Sequence, residues 1–496
     1  MKTDEATSYG QIAKSTGLFA GTQMFTILMS LVRTKVLAVL LGTVGVGLAG
    51  LYQSVIEMVK TIAGMGLSFS AVKDIAKASS SEDKKEVAAI TLVTRRLVWW
   101  TGLAGMVAMI LFSKPISLYF FEDASHVPAI CLLSFSVLFG LLSSGQMALL
   151  QGTRQLATMA KATVLGSLVG LLIAVVFYLW LGIEGIVPAL IAIALVSLLF
   201  SWYFSRRMKL EAVRLGFKET LKKGSAMIQL GFFNMLSGLV GTVVLLLMKR
   251  FMLVEGDMDM VGLYQAVWSI SALYLGAILS AMSTDYFPRL CGYEGNDQHM
   301  ISFANQQLRF VLVVVTPVVV AVLCLTPIVL KLLYAPSFIA AVSLMQWQIL
   351  GTFFKVLIWP VSFFLLAKGK GPLFLISEAS WYIIYYLATV LLWPSMGLEG
   401  AGLAFLIAYL VYVAMIYLMV RPLCPFKVTP ANIRLMLFFI LMVVSSFLTV
   451  YYIDGWLEWT LSAVLWLTVT SVAIYRLNQL LPLKDVWQKI STWKKQ

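Results

Sequence analysis

Charged side chains inside long apolar stretches are the residues of this sequence that could do chemistry. Glu57 and Lys60 stand three apart in segment 50–60, GLYQSVIEMVK, and Lys355 and Glu378 have similar surroundings further along the chain. An ionisable residue within a membrane span is costly, so by default it faces a protein interior or a water-filled cavity. The pattern therefore indicates a polar path through a membrane. The structural alternative for Glu57 and Lys60 is an ion pair on one helix.

Basic residues outnumber acidic ones within and beside these apolar stretches. The basic members, which form a candidate anion-binding set, are Arg33, Lys35, Lys60, Lys249, Arg250 and Lys355. Glu57, Asp285 and Glu378 oppose them, and Glu57 and Glu378 are the candidate coupling or cavity acids. If the basic residues face inward, they form a cationic cavity, and the planar fork of arginine suits phosphate oxygens. The alternative for members near helix ends is that they extend toward the membrane surface.

Uncharged polar residues recur at helical spacing along several apolar segments. Three glutamines are predicted to line the same cavity: Gln53, Gln265 and Gln348. Small and weakly polar residues also bring membrane helices together, so packing is the alternative role for these polar faces. Trp381 and Tyr382 follow Glu378 closely and could stack on sugar rings, since their rings have polar tips. The alternative is an aromatic belt that faces lipid.

Composition defines the class of protein. Of the 496 residues, 60% are hydrophobic and 12% are charged, and the mean hydropathy is +0.91. A soluble protein has about twice that charged fraction. The sequence has no phosphate-binding loop motif. Its two histidines and four cysteines do not have the spacing of metal ligands. We therefore expect a polytopic helical membrane protein that is not an enzyme and uses no metal or cofactor.

Apolar runs of about 20 residues or more are long enough to span a bilayer. They predict fourteen membrane helices between residues 10 and 477. The net charge is +14, and the basic residues are concentrated in alternate loops, for example the loop after the sixth helix. That asymmetry predicts cytoplasmic N- and C-termini and gives no indication of nucleic acid binding. The loops on the opposite side are short, which argues against a membrane-bound glycan polymerase or ligase.

Matching motifs indicate an internal duplication of six helices. Gly50–Leu–Tyr–Gln recurs at 262–265, and the tetrapeptides 182–185 and 397–400 read GIEG and GLEG. The joints at 152–154 and 368–370 are separated by a similar number of residues as the two copies of each motif. Repeats in register predict two six-helix lobes related by a pseudo-twofold axis along the membrane normal, with a substrate site between them. The predicted regions are 1–208, 209–425, and 426–496 with helices thirteen and fourteen.

Several of these stretches also resemble a known superfamily. The likeness rests on KVLAVLLGTVGVGLAG at 35–50, QGTRQLATMAKATVLGSLVG at 151–170 and the long segment 247–290, among others. Over about residues 8–422 the chain resembles the polysaccharide-transport branch of the multidrug/oligosaccharidyl-lipid/polysaccharide exporter superfamily, in particular its Wzx-type O-antigen and lipid III flippases. Lys35, Arg250 and Lys355 match basic positions of such flippases. Helices thirteen and fourteen are similar to a pair in the lipid II flippase.

This resemblance implies an all-α, V-shaped transporter of the multidrug-exporter type. The implied function is to flip an undecaprenyl-diphosphate-linked oligosaccharide from the cytoplasmic to the outer leaflet of the bacterial inner membrane by alternating access. The implied partners are this substrate, membrane lipids and a polymerase or ligase of the same glycan pathway, with the transporter itself a monomer. The alternative is a multidrug or cation antiporter on the same fold. Helix one, residues 10–41, has no Asp or Glu, which argues against that alternative.

Overall fold

The structure is a computed structural model that describes residues 2–80, 84–208, 211, 213–293 and 295–480. Within these ranges all regular structure is helical. Apolar chain in lipid must satisfy every backbone N–H and C=O internally, and a helix does so within one segment. Eight of the described helices are long and apolar enough to cross a membrane, or nine if one bent pair is counted as a single span. The chain is therefore a polytopic all-α membrane protein, as the sequence predicts.

The helices group into two compact units, residues 1–265 with 333–335 and residues 266–332 with 336–496. The first unit contains eight helices and most of a ninth. Their bounds are α1 Lys2–Gly64, α2 Leu67–Ser80, α3 Lys84–Leu111, α4 Ser113–Phe120, α5 Val127–Gly152, α6 Leu156–Leu181, α7 Ile186–Arg206, α8 Phe217–Glu255 and α9 Met258–Trp268. This division reflects which helices pack together. The predicted boundary at residue 208 concerns sequence repeats, and the six-helix lobes stay a prediction.

The second unit begins within α9 and continues through a π-helical turn, Ser269–Tyr274, into the remaining helices. Their bounds are α10 Leu275–Cys291, α11 Asp297–Cys324, α12 Thr326–Leu333, α13 Val342–Ala367, α14 Gly371–Val420, α15 Pro430–Tyr452 and α16 Trp456–Leu480. Short 3₁₀ turns at Ala124–His126, Gly182–Gly185 and Pro336–Ala341 connect neighbouring helices.

Breaks inside two long helices coincide with predicted joints between spans. Gly42 interrupts α1 with φ 66° and ψ −161°, and Gly397 interrupts α14 with φ 52° and ψ −132°. Only glycine adopts such backbone angles readily, because it has no Cβ. A sharp bend of 62° between α3 and α4 makes a third change of direction. These breaks let one continuous stretch of chain present two differently directed helices.

Glycines also set the closest approaches within the first unit. A Cβ added at Gly47 would lie 2.5 Å from the carbonyl oxygen of Met258, and one added at Gly262 would lie nearer still to Thr43. At Gly66 the added atom would overlap the backbone of Gly231. Helices α1 and α9 therefore cross with their backbones in contact, as small residues in membrane helices allow.

In the second unit, α13 and α14 form the main packed core. A Cβ at Gly351 would lie 2.6 Å from the Phe405 ring, so the second half of α14 lies directly on α13. The C-terminal pair α15 and α16 packs on α11. There Asn432 donates to the carbonyl oxygen of Asn305 at 2.8 Å, and the Trp466 indole donates to the Pro317 carbonyl at 3.2 Å. Helices thirteen and fourteen of the sequence prediction are thus anchored by polar contacts as well as apolar ones.

Candidate functional site

The acidic and basic residues of the stretch 50–60 form a local network on α1. Lys60 Nζ lies 2.9 Å from Glu57 Oε1, and the Gln53 amide donates to the same oxygen at 3.1 Å. The spacing of three and four residues along one helix face brings these groups together. The Lys60 stem extends toward α5, since a Cβ at Gly140 would lie 2.9 Å from its Cε. The ion pair named as the structural alternative is therefore present, and both partners are partly exposed.

Lys249 and Arg250 are neighbours on α8 but have different surroundings. Lys249 is buried, with its Nζ donating to the Gly50 carbonyl at 2.9 Å and to Ser54 Oγ at 2.6 Å. Arg250 is only partly buried, and its Nε donates to the Tyr119 carbonyl at 2.6 Å. Lys249 thus joins α8 to α1 through internal hydrogen bonds. Arg250 is the member of the pair that remains open to a ligand.

Arg33 and Lys35 of α1 also separate. Arg33 lines a cavity of about 330 Å³ enclosed by α1, α5, α6 and α7, together with Thr26 and Ser30 of its own helix. These three residues lie on one face at spacings of four and three, as a helix requires. Lys35 instead donates to the backbone carbonyl of Tyr334, within the first unit. The arginine therefore lines a cavity that also has serine and threonine hydroxyls in its wall, whereas the nearby lysine bonds to backbone.

Lys355 lines a second cavity, of about 290 Å³, within the second unit. Glu378 of α14 lines it too, and Glu378 Oε1 accepts a hydrogen bond from the Tyr412 hydroxyl at 2.5 Å. Lys355 Nζ lies 5.9 Å from the centre of the Tyr409 ring, where a cation is attracted to the π-face. The other lining residues are Trp268, Ser271, Thr352, Ile358, Trp359, Ser362, Trp381, Tyr382 and Phe405. The cavity thus combines one positive charge, one negative charge, hydroxyls and aromatic rings.

The break at Gly397 explains how α14 builds much of this cavity. It lets the two halves of α14 run in different directions, so Trp381 of the first half contacts Tyr409 of the second, with ring centroids 4.7 Å apart. Trp381 is buried, so it does not belong to a lipid-facing belt. The sequence places Trp381 and Tyr382 beside Glu378 but gives no signal for Tyr409 or Tyr412. Those two become part of the site only because the helix folds back.

The predicted glutamines lie in different surroundings. Gln348 is fully buried, where its amide oxygen accepts from Ser271 Oγ at 2.9 Å and its nitrogen lies 3.4 Å from the Tyr385 hydroxyl. Since Ser271 lines the cavity of Lys355, Gln348 lies behind its wall. Gln265 packs against α1, as a Cβ at Gly50 would lie 2.8 Å from Gln265 Cγ. The repeated motifs 50–53 and 262–265 therefore touch each other.

The structure brings the predicted residues together in separate groups. Gln53, Glu57 and Lys60 form one group in the first unit, and Lys355 and Glu378 form another in the second. Arg33 lies in its own cavity. One chamber shared by all six basic residues stays a prediction. Within the described residues, no three His, Cys, Asp or Glu side chains are grouped so that they could hold a metal ion.

This arrangement of apolar helices around charged and aromatic cavities defines a membrane transporter rather than a soluble protein. The chain belongs to the family described as "Polysaccharide biosynthesis protein", which matches residues 36–343. It is similar to the lipid III flippase of Escherichia coli (strain K12), at 25% identity over 414 residues that cover 81% of this chain and 96% of the relative. The lipid III flippase of Shigella flexneri matches equally.

Solved structures share the fold. An inward-facing multidrug resistance transporter of the MATE family superposes with a TM-score of 0.68 at 16% identity, covering 82% of this chain and 97% of that chain. The lipid II flippase MurJ in an inward closed conformation superposes with a TM-score of 0.65 at 14% identity, covering 94% and 99%. These likenesses establish the fold alone. Together with the family match, they confirm the superfamily resemblance found in the sequence.

Proposed function

We propose that this protein flips an undecaprenyl-diphosphate-linked oligosaccharide, an O-antigen or other surface-polysaccharide repeat unit, from the cytoplasmic to the outer leaflet of the bacterial inner membrane. The observation that carries the proposal is the cavity of Lys355 and Glu378, lined by aromatic rings inside a bundle of apolar helices. Membership of the polysaccharide biosynthesis family and the similarity to lipid III flippases point to the same cargo. The protein acts as a transporter and makes or breaks no covalent bond.

The physical task of such a transporter is to replace water around an anionic head group. A diphosphate cannot cross hydrocarbon unaided, because an ion loses its hydration there. Arg33, Lys60 and Arg250 in the first unit and Lys355 in the second supply positive charge that can interact with this head group. Glu57 and Glu378 limit the strength of the resulting field, so that the cargo can leave as well as bind. The aromatic rings around Lys355 offer faces on which sugar rings can stack.

Alternating access requires two arrangements of the helices. The repeat predicted from the sequence provides two lobes that can move against each other. We propose fourteen spans, arranged as two six-helix lobes and a C-terminal pair, that open in turn to each side. Two equivalent joints support the repeat. Arg154 (φ 57°) and Gly369 (φ 68°) both follow a helix end, and the next residue donates to a carbonyl five positions back, each at 2.8 Å. Both termini lie in the cytoplasm, and the transporter works as a monomer beside a polymerase or ligase of its pathway.

Complementation tests the proposed function. Cells that lack their own flippase and carry this gene should regain surface glycan. We expect the Arg33→Ala/Arg250→Ala/Lys355→Ala variant to restore little glycan while the protein stays inserted at normal abundance. The matched control is Lys114→Ala, which removes an exposed basic residue that lines neither cavity and should leave export intact.

A conservative substitution tests phosphate recognition within the same assay. Arg250→Lys keeps the charge but loses the planar fork that can bind two phosphate oxygens, so export should fall below the wild-type level. Full export by the triple alanine variant would mean that these basic residues do not bind the cargo. Resistance to cationic drugs without glycan export would favour the antiporter alternative.

A further inference from the structure

An apolar groove on the first unit lies apart from the cavities described above. Its volume is about 580 Å³. It runs between the second half of α1, α3 and α4, and its lining residues are Met58, Val59, Ile62, Ala63, Met65, Thr101, Ala104, Gly105, Ala108, Met109, Phe112, Pro115, Ile116, Tyr119 and Phe120. Thr101 is the one polar residue on α1 or α3 among them, and Tyr119 supplies a hydroxyl at the α4 end.

The sequence of α3 creates the concave floor of this groove. Thr101, Ala104, Gly105 and Ala108 recur at three or four residues and so share one helix face. Their small side chains leave space above the helix. At Gly105 an added Cβ would lie 2.6 Å from Ala63 Cβ, so α3 and α1 almost touch beneath the groove.

Large side chains form the walls, and the helix bend closes one end. Phe112 is 61% exposed and Ile62 is 46% exposed, so the groove opens to the surroundings of the protein, which are lipid along a membrane helix. The 62° bend between α3 and α4 turns Tyr119 and Phe120 across the end of the groove. From Thr101 to Phe112 the floor is about 16 Å long at 1.5 Å per helical residue.

A cation stands at this closed end. The Arg250 guanidinium carbon lies 4.1 Å from the centre of the Tyr119 ring, and its Nε donates to the Tyr119 carbonyl. These two contacts hold the side chain in place. Its terminal nitrogens make no hydrogen bond to any residue in the described part of the chain. They are therefore available to an anion, at the end of a surface that is otherwise apolar.

We propose that this groove docks the polyprenyl tail of the cargo while its diphosphate binds Arg250. This inference rests on the proposed function and assigns the lipid part of that cargo to a surface. An apolar groove with one fixed guanidinium at its end matches an amphiphile with a single tail and an anionic head. A two-chain phospholipid would leave one chain outside the groove. In the predicted orientation Arg250 faces the outer leaflet, so the groove holds the cargo after translocation.

Adjacent residues on α3 provide a matched test. Ala108 lies in the groove, whereas Val107 is 51% exposed and does not line it. We would measure binding of undecaprenyl diphosphate, undecaprenol and dioleoylphosphatidylglycerol to the full-length protein in nanodiscs by native mass spectrometry. Ala108→Trp should weaken binding of both polyprenyl probes at least about tenfold, because only a few methylenes need be displaced. Val107→Trp should bind all probes as the wild type does.

A second variant separates the head group from the tail. Arg250→Gln should weaken binding of undecaprenyl diphosphate and leave binding of undecaprenol unchanged. Ala104→Leu fills the groove less and provides the same comparison if Ala108→Trp does not fold. Unchanged polyprenyl binding in the folded groove variants would overturn the docking site. Phospholipid binding in the groove that equals binding of the polyprenyl probes would overturn it too. If either result is found while glycan export is normal, the proposed function still stands. If the wild type neither exports glycan nor binds the polyprenyl probes, the docking site and the proposed function are both overturned.

Discussion

Gly182 and Gly397 adopt nearly the same backbone conformation, although they stand 215 residues apart in sequence. Gly182 has φ 57° and ψ −130°, and Gly397 has φ 52° and ψ −132°. The third residue after each is again similar. A Cβ at Gly185 would overlap the Phe177 carbonyl oxygen, and one at Gly400 would lie 3.0 Å from the Leu392 carbonyl oxygen, each eight residues back. The GIEG and GLEG tetrapeptides therefore encode the same tight turn between helices.

Substituting alanine for Gly397 should destabilise the protein. The backbone angles at this position are readily accessible only to glycine, and forcing a Cβ into them costs about 1–3 kcal/mol. We expect a lower Tm for Gly397→Ala in detergent, measured by thermal unfolding. Gly21→Ala is the control, because an added Cβ there meets nothing within 4 Å and alanine favours a helix. An unchanged Tm for Gly397→Ala would mean that the turn relaxes to another conformation.

At the joint after α5, a substitution should have the opposite effect and raise Tm. Arg154 has φ 57°, a left-handed conformation that costs a residue with a Cβ about 1–2 kcal/mol. Its counterpart after α13 is Gly369, with φ 68°. Arg154→Gly should therefore raise Tm, and Gly369→Arg should lower it. If both substitutions lower Tm, contacts of the arginine side chain outweigh the backbone strain.

The sequence predicts the all-helical membrane class and the joints at Gly42 and Gly397, because apolar runs and glycine positions are local signals. It also identifies which charged residues lie among apolar helices. It cannot predict which direction adjacent side chains take, since that depends on packing. Lys249 and Arg250 carry the same charge, yet one forms buried hydrogen bonds to α1 and the other lies against an exposed tyrosine. The sequence also does not predict the groove on α3, because alanine and glycine at helical spacing indicate close packing as readily as a docking surface.

The opposite charges of Lys355 and Glu378 share one cavity, so removing one should affect folding as well as transport. A polar group left without compensation in a buried site costs about 1–3 kcal/mol. We expect Lys355→Met and Glu378→Gln each to lower Tm, and the double variant to recover most of that loss. Glycan export by each of the three variants should stay below the wild-type level. Wild-type export by the double variant would show that the two charges serve folding alone.

The two candidate coupling acids have different hydrogen-bond partners, so replacing them should affect transport differently. Glu57 pairs with Lys60 at 2.9 Å and is partly exposed, so it has a permanent partner on its own helix. Glu378 accepts from the Tyr412 hydroxyl inside the cavity. We expect Glu378→Gln to alter the pH dependence of transport into proteoliposomes, and Glu57→Gln to leave it unchanged. The hypothesis of a coupling acid fails if both variants retain the wild-type pH and ion dependence.

The predicted orientation can be tested with single cysteines at two exposed positions. Ser125 lies in the turn before α5, and Arg214 lies in the basic segment between α7 and α8. The concentration of basic residues around Arg214 predicts a cytoplasmic location, because Lys and Arg are retained on that side during insertion. In a variant whose four native cysteines are replaced, Ser125→Cys should react with a membrane-impermeant maleimide in spheroplasts. Arg214→Cys should react only after the membrane is permeabilised. Labelling of Arg214→Cys in intact spheroplasts would reverse the orientation and place Arg250 at the cytoplasmic leaflet, where the groove would receive the cargo instead of releasing it.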